Sequence, residues 1–155
     1  MRAMDKQGLN LEQDQSAFFL WHYGGEVLGA LQAAEALDLL IANLAVTDGE
    51  SPSMSHFPAV ATVISIGAIS IPKLRDKLKS EENARIRNLA VFCIARIGGR
   101  IAKQTLEQAL LIEKDKCVNN FIRVSLKSFR NRERPNHVAT DDVVKWFSAF
   151  YCTEG

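Results

Sequence analysis

An apolar stripe recurs along this chain with a nearly constant period, and this recurrence restricts the fold more than any other feature. Its central copy consists of Ile86, Leu89, Ala90, Cys93, Ile94 and Ile97. The spacing of 3, 1, 3, 1, 3 is that of residues on one face of an amphipathic helix. The following copy consists of Val118, Phe121, Ile122, Ser125, Leu126 and Phe129. The preceding copy fills five of the six positions with Pro58, Ala59, Thr62, Val63 and Ile66. A fixed period of about 31 residues predicts repeated helical units.

A shorter second helix is predicted after each of the glycine turns at Gly67 and Gly98. Gly67 and Gly98 each stand after an isoleucine at the end of a first helix, where a C-terminal cap favours glycine. The second helices are predicted at 72–79 and 101–112, and Pro72 suits the first turn of such a helix because its missing N–H has no helical partner there. No stretch of alternating apolar and polar residues predicts a strand. The sequence therefore predicts an all-α protein of about three to four helix pairs.

The two ends of the chain fit the repeat less closely. Leu28-Gly29 resembles Ile66-Gly67, and Leu37, Leu40 and Leu44 resemble Ile71, Leu74 and Leu78, but only if four extra residues lie between the two helices. At the other end, Thr140 can N-cap a last helix that runs through Tyr151. We expect one domain over 1–155, with an N-terminal cap and divergent repeat at 1–45, a loop at 46–57, repeats at 58–130, and a linker with a C-terminal capping helix at 131–155.

The helix and turn pattern resembles the HEAT-like repeats of the phycobilin-lyase type. The resemblance rests on Ile66-Gly67, the Pro72-led helix, the polar loop from Ser80, Ile86-Arg87 and Ile97-Gly98. It is good over 58–113 and looser over 16–45 and 117–129. It implies a right-handed, armadillo-like α-solenoid in which the second helices line a concave, partner-binding face. It also implies a stacking or inter-repeat bonding role for Arg87.

No set of residues in the sequence points to catalysis. Deoxyhypusine hydroxylases, which this repeat pattern resembles, need His-Glu pairs for a di-iron centre, whereas the three histidines here precede Tyr23, Phe57 and Val138. The three histidines stand far from one another in the sequence, and no glycine-rich phosphate loop is present. We therefore expect no enzyme activity, no metal and no cofactor. A lyase or an accessory subunit of an enzyme complex stays open through the family resemblance alone.

The charge is balanced overall but uneven along the chain. Lys and Arg number 19 against 18 Asp and Glu, which argues against a protein that coats nucleic acid. Residues 1–72 nevertheless hold two cations and eight acids, while 73–155 hold 17 cations and ten acids. The chain is thus acidic in its first half and basic in its second, which allows head-to-tail self-association between copies.

The basic residues form a candidate binding surface. Arg123, Lys127 and Arg130 share one helix face, and the cluster continues into the following loop. The whole predicted surface consists of Arg123, Lys127, Arg130, Arg132, Arg134, Lys73, Lys77 and Lys103, the three lysines lying on second helices. The plain alternative is a solvated face. We expect a non-enzymatic scaffold that binds another protein, and the alternative is nucleic-acid binding through 123–134.

Cysteines and hydropathy indicate the compartment. Cys93, Cys117 and Cys152 form no CxxC pair, so neither a disulfide framework nor a zinc ribbon is predicted. Cys93 lies in the apolar stripe and is expected to be packed. The N-terminus carries no apolar stretch of signal-peptide length, and the longest run without an acidic, basic or histidine residue, at 57–72, is shorter than the roughly 20 residues that span a bilayer. We expect a cytoplasmic protein that makes no contact with membranes.

Overall fold

Six α-helices make up most of the part of the chain that the structure describes. A computed structural model describes residues 24, 27, 36–46 and 57–132, with side chains through Phe129. The helices are α1 Leu37–Ala42, α2 Pro58–Ile66, α3 Ile71–Ser80, α4 Ala84–Ile97, α5 Gly99–Ile112 and α6 Lys116–Arg132, and a 3-10 turn at Ala68–Ser70 leads into α3. These residues include no strand, so the predicted all-α class is confirmed. Residues 1–35, 47–56 and 133–155 lie outside them, apart from Gly24 and Val27, and with them most of the predicted N-terminal cap, loop and C-terminal capping helix.

The contacts between helices sort them into two rows. Helix α2 contacts α4, and α4 contacts α6; we call these three helices the first-helix row. Helix α1 contacts α3, and α3 contacts α5; these form the second-helix row. Contacts of α1 with α2, of α3 with α4, and of α5 with both α4 and α6 join the two rows. Each helix thus packs on the helix that occupies the same place in the neighbouring repeat.

The repeated stripe is the buried face of the first-helix row. All five stripe residues of α2 are buried, and in α4 the four central ones, from Leu89 to Ile94, are at most 2% exposed. In α6 only Leu126 of the six is partly exposed. The middle of each stripe holds a small residue, namely Thr62, Cys93 or Ser125, and all three are buried. Burial of this apolar surface is the main favourable contribution to the row.

The glycine turns recur with the same geometry. Gly67 has φ 84° and ψ −147°, and Gly98 has φ 73° and ψ −167°. Their N–H groups donate to Val63 O (3.3 Å) and Ile94 O (3.1 Å). Only glycine adopts this region of the backbone map readily, because a Cβ atom is disfavoured there. The prediction that these glycines end the first helices is confirmed.

The loops before α4 and α6 also repeat, which the apolar stripe did not indicate. Asn83 Oδ1 accepts from Arg85 N (2.9 Å), and at the same place in the next repeat Asp115 Oδ1 accepts from Cys117 N (2.9 Å) and Val118 N (3.0 Å). Two residues before each cap a glutamate accepts from the cap's own N–H: Glu81 from Asn83 N (3.0 Å) and Glu113 from Asp115 N (2.9 Å). Side-chain caps of this kind satisfy N–H groups that a helix start leaves without partners.

Candidate functional site: a cleft between α3 and α5

A cleft of about 390 Å³ opens between two neighbouring helices of the second-helix row. It is lined by Arg75, Leu78 and Lys79 of α3, by Thr105, Gln108, Ala109 and Ile112 of α5, and by Glu81, Arg87, Glu113 and Lys114. The C-terminal halves of both helices line it, so α3 and α5 run in the same direction past it. The loops after the two helices form its end. This volume lies within the range of ordinary ligand pockets.

The apolar part of the lining consists of Leu78 on α3 and of Ala109 and Ile112, which are three residues apart on one face of α5. Leu78 and Ala109 are buried in the floor, at 5% and 8% exposure. Ile112 is 60% exposed at the rim, and the neighbouring Leu111 is 86% exposed. Because alanine ends at Cβ, position 109 leaves open a space that a longer side chain would fill. Large apolar side chains left in water at the edge of a cleft are typical of interaction sites.

Arg87 closes the end of the cleft through an ion pair with Glu113. Its Nε donates to Glu113 Oε2 (3.0 Å) and its Nη2 to Glu113 Oε1 (3.3 Å), and the two side chains are 13% and 10% exposed. Its Nη1 donates to the backbone oxygens of Glu81 (3.0 Å) and Glu82 (2.7 Å). A guanidinium suits this place because its planar set of donors serves several acceptors at once. Arg87 therefore joins the loop that precedes α4 to the loop that follows α5.

Asn119 stands one repeat after Arg87 and makes the corresponding loop contact. Its Nδ2 donates to Glu113 O (3.3 Å) and approaches Leu110 O (3.5 Å). Arg87 makes the same contact with Glu81 O in the preceding repeat. The loop-to-helix bond thus recurs with a different side chain, and only the earlier copy adds a charge pair.

The second carboxylate of the cleft is also engaged. Lys77 Nζ lies 2.5 Å from Glu81 Oε2, and the side chains are 25% and 17% exposed. The hydrogen bond from Lys77, supported by the N–H of Asn83, holds the pKa of Glu81 below its ordinary value of 4.5. Both glutamates of the lining are therefore paired with a cation.

The cations of the cleft are less engaged than its carboxylates. Lys79 and Lys114 are exposed, and neither has an ion-pair partner within the described part of the chain. Arg75 shares the exposed carboxylate of its neighbour Asp76 (3.1 Å). An exposed pair of this kind contributes little and exchanges partners easily. The cleft thus offers ammonium groups to an incoming ligand.

The structure separates the residues of the predicted basic surface. Lys73 pairs with Asp38 of α1, Lys77 pairs with Glu81, and Lys103 is partly buried; none of the three lines the cleft. Arg123 and Lys127 are exposed on α6, away from the cleft, and Arg123 Nε donates to Asn119 Oδ1 (2.9 Å). The side chains of Arg130 and Arg132, and the whole of Arg134, lie outside the described residues.

Sequence reasoning did not identify Arg75, Lys79 and Lys114 as residues of one site. The sequence carries a signal for the first two, since Arg75, Leu78 and Lys79 are spaced to share one face of α3. Lys114 carries none, because it follows the end of α5 and its direction depends on the bonds of Glu113 and Asp115.

The cysteines differ from one another. Cys93 is fully buried, as predicted, and its burial raises the pKa of the thiol. Cys117 is disulfide-bonded, although the cysteine spacing predicted no disulfide framework, and its partner lies outside the described residues. A buried thiol with a raised pKa is a poor nucleophile.

Neither a metal-ligand cluster nor a membrane-spanning helix is found in the part of the chain that the structure describes. No three His, Cys, Asp or Glu side chains come together there as a potential metal site. No helix among the same residues has the length and apolar character that crossing a bilayer requires.

Comparison with protein-family profiles, with curated proteins and with solved structures finds no match to this chain.

Proposed function

We propose that this chain is a HEAT-like, armadillo-like α-solenoid that acts as a non-enzymatic scaffold and binds another protein. The proposal is supported by three features that recur with the same period: the buried stripe, the glycine turn and the capped loop. Stacked helix pairs bury a continuous core between neighbours and leave an extended surface free for a partner.

The cleft between α3 and α5 is the observation that carries the proposal. It lies on the second-helix row, the exposed Ile112 stands at its rim, and the neighbouring Leu111 of α5 is exposed as well. Arg87 holds its two loops together before any partner arrives. A preformed apolar cleft lowers the cost of ordering on binding.

Affinity capture from the native cell, followed by mass spectrometry, tests the proposal. We expect the wild-type chain to retain a specific protein that the double variant Leu111→Ser, Ile112→Ser loses. Both side chains are mostly exposed, so this variant should unfold at the temperature of the wild type. The matched control, Arg123→Glu with Lys127→Glu on α6, should retain the protein. Failure to retain any protein, or equal retention by both variants, contradicts the proposal.

The second candidate function is nucleic-acid binding through the basic face of α6. Arg123 and Lys127 are both exposed there, which favours this alternative over one based on the paired lysines of α3. Binding through phosphate contacts weakens steeply as salt rises. A gel shift with labelled DNA and RNA at two salt concentrations tests it, and the Arg123→Glu, Lys127→Glu variant should abolish any shift. Sedimentation of the same variant tests head-to-tail self-association.

A further inference from the structure

We propose that the partner enters the cleft with an acidic segment in which carboxylates flank an apolar side chain. The inference rests on the proposed protein-binding function and adds to it the chemistry of the partner. One cleft brings together an apolar floor, two glutamates that are already paired with cations, and the ammonium groups of Lys79 and Lys114, which have no partner among the described residues.

The floor accounts for the apolar side chain of the segment. Leu78 and Ala109 form an apolar surface. A charged or amide side chain placed against it would lose its hydration without gaining a hydrogen bond. Ile112 at the rim is exposed and would be covered by the same side chain. Thr105 and Gln108 offer the only uncharged polar side chains among the lining residues, enough to orient a short backbone segment.

The charge of the lining accounts for the carboxylates. It holds the cations Arg75, Lys79, Arg87 and Lys114 against the carboxylates Glu81 and Glu113. Because both carboxylates are held by cations, they repel an incoming anion less than free ones would. The two helix C-termini at the cleft each carry about −0.5 charge, which offsets roughly half of the positive excess. The cleft stays positive, and its free donors are the ammonium groups of Lys79 and Lys114.

Helix electrostatics accounts for the position of Lys79 but not for that of Lys114. Lys79 stands in the last turn of α3, where a cation stabilises the helix by itself. Lys114 lies beyond the C-cap of α5, after Glu113 has already left the helix. The structure gives Lys114 no partner within the described residues, so its ammonium group is free to meet an anionic group in the cleft.

Selection of random peptides displayed on phage, with the full chain immobilised, tests the proposal. We expect enriched peptides to carry Asp or Glu beside Leu, Ile or Phe. One enriched peptide is then synthesised with a fluorescent label, and its affinity is measured by anisotropy. The Lys79→Glu, Lys114→Glu variant should bind it at least about tenfold more weakly, since two attractive charge pairs become repulsive. Replacing the acids of the peptide by Lys should restore binding to this variant.

A control with the same change in charge separates the cleft from general electrostatics. Arg123→Glu with Lys127→Glu alters the net charge equally on α6 and should leave the affinity for the peptide within about twofold. Ile112→Ser should weaken the binding of the peptide without changing its preference for acids.

Several results would overturn the inference. These are the enrichment of no peptide, enrichment of neutral or basic peptides, equal weakening by both charge variants, or displacement of the peptide from the cleft by an oligonucleotide. Such a result leaves the proposed function standing if the Leu111→Ser, Ile112→Ser variant still loses a captured protein. Failure of the capture experiment together with the selection would remove both.

Discussion

The two rows of helices belong to the same repeated pattern, but they differ in how completely their helices are buried. In the first-helix row, α4 lies between α2 and α6, and its residues 88–95 are all buried. In the second-helix row, α5 buries only a narrow strip, consisting of Ala102, Thr105, Leu106 and Ala109. The cleft lies between this strip and the neighbouring helix α3, and Thr105 and Ala109 of the strip line it. Both rows therefore contribute to the core, but only the second-helix row leaves a cleft open for recognition.

The largest expected effect comes from a charge placed in either row. Leu89 and Leu106 are at most 2% exposed, so Leu89→Asp or Leu106→Asp buries a carboxylate without a partner. Each should lower the free energy of unfolding by more than about 4 kcal/mol and abolish the helical circular dichroism signal at room temperature. Leu111→Asp, on the outer side of α5, should change it by less than about 0.5 kcal/mol. A stable Leu106→Asp protein would show that the second-helix row contributes little to the core.

The next largest effect concerns the bond between the loops. Arg87→Met leaves Glu113 buried without its cation, and we expect a loss of about 3 kcal/mol in urea denaturation. Arg75→Met removes an exposed pair with Asp76 and should cost less than about 1 kcal/mol. Equal losses in the two variants would mean that Arg87 does not tie the repeats together.

How far the sequence predicted this molecule depends on the kind of interaction. The stripe from Leu89 to Ile94 and the turn at Gly67 follow from local rules of helix periodicity and backbone conformation, and both predictions were confirmed. The cleft depends on which neighbour each side chain meets, and the sequence does not state this. Lys77, predicted as part of a binding surface, is held by Glu81.

A smaller departure shows why repeat equivalence alone was not enough. Leu110 occupies the place of the buried Leu78 in the next repeat, yet it is only partly buried, because α5 turns Ala109 inward in its place. The rotation of α5 about its axis, which decides whether Ala109 or Leu110 faces inward, is set by its packing against α3, α4 and α6 together.

The third effect tests the recurring turn. A Cβ atom added at Gly67 would meet no other atom within 4 Å, so Gly67→Ala carries backbone strain and no clash. We expect a loss of about 1–3 kcal/mol by thermal denaturation. Gly67→Asn should cost as much, since ψ of −147° lies outside the left-handed helical region that Asn tolerates. Ser65→Ala, on an exposed position of α2, is the control, and recovery of stability by Asn would contradict the assigned turn.

The smallest effect distinguishes two equivalent positions of the stripe. Thr62 Oγ1 donates to Pro58 O (2.8 Å), whereas the buried Ser125 Oγ has no hydrogen-bond partner among the described residues. Thr62→Val should therefore cost about 0.5–1.5 kcal/mol. Ser125→Ala should be neutral or stabilise by up to about 1 kcal/mol, because it removes a buried polar group and leaves no cavity. A clear loss of stability in Ser125→Ala would show that its hydroxyl is bonded.

Native-state hydrogen exchange of the wild-type protein tests the division between the rows most directly. Amides of α4 at 89–95 lie between two neighbouring helices and should exchange only through global unfolding. Amides in the last turns of α3 and α5, which border the cleft, should exchange faster through local opening. We expect the greatest protection in α4 and clearly lower protection at 77–80 and 109–112. Equal protection of the cleft-lining turns and α4 would contradict the claim that the first-helix row is closed by its neighbours while the second-helix row is left open at the cleft.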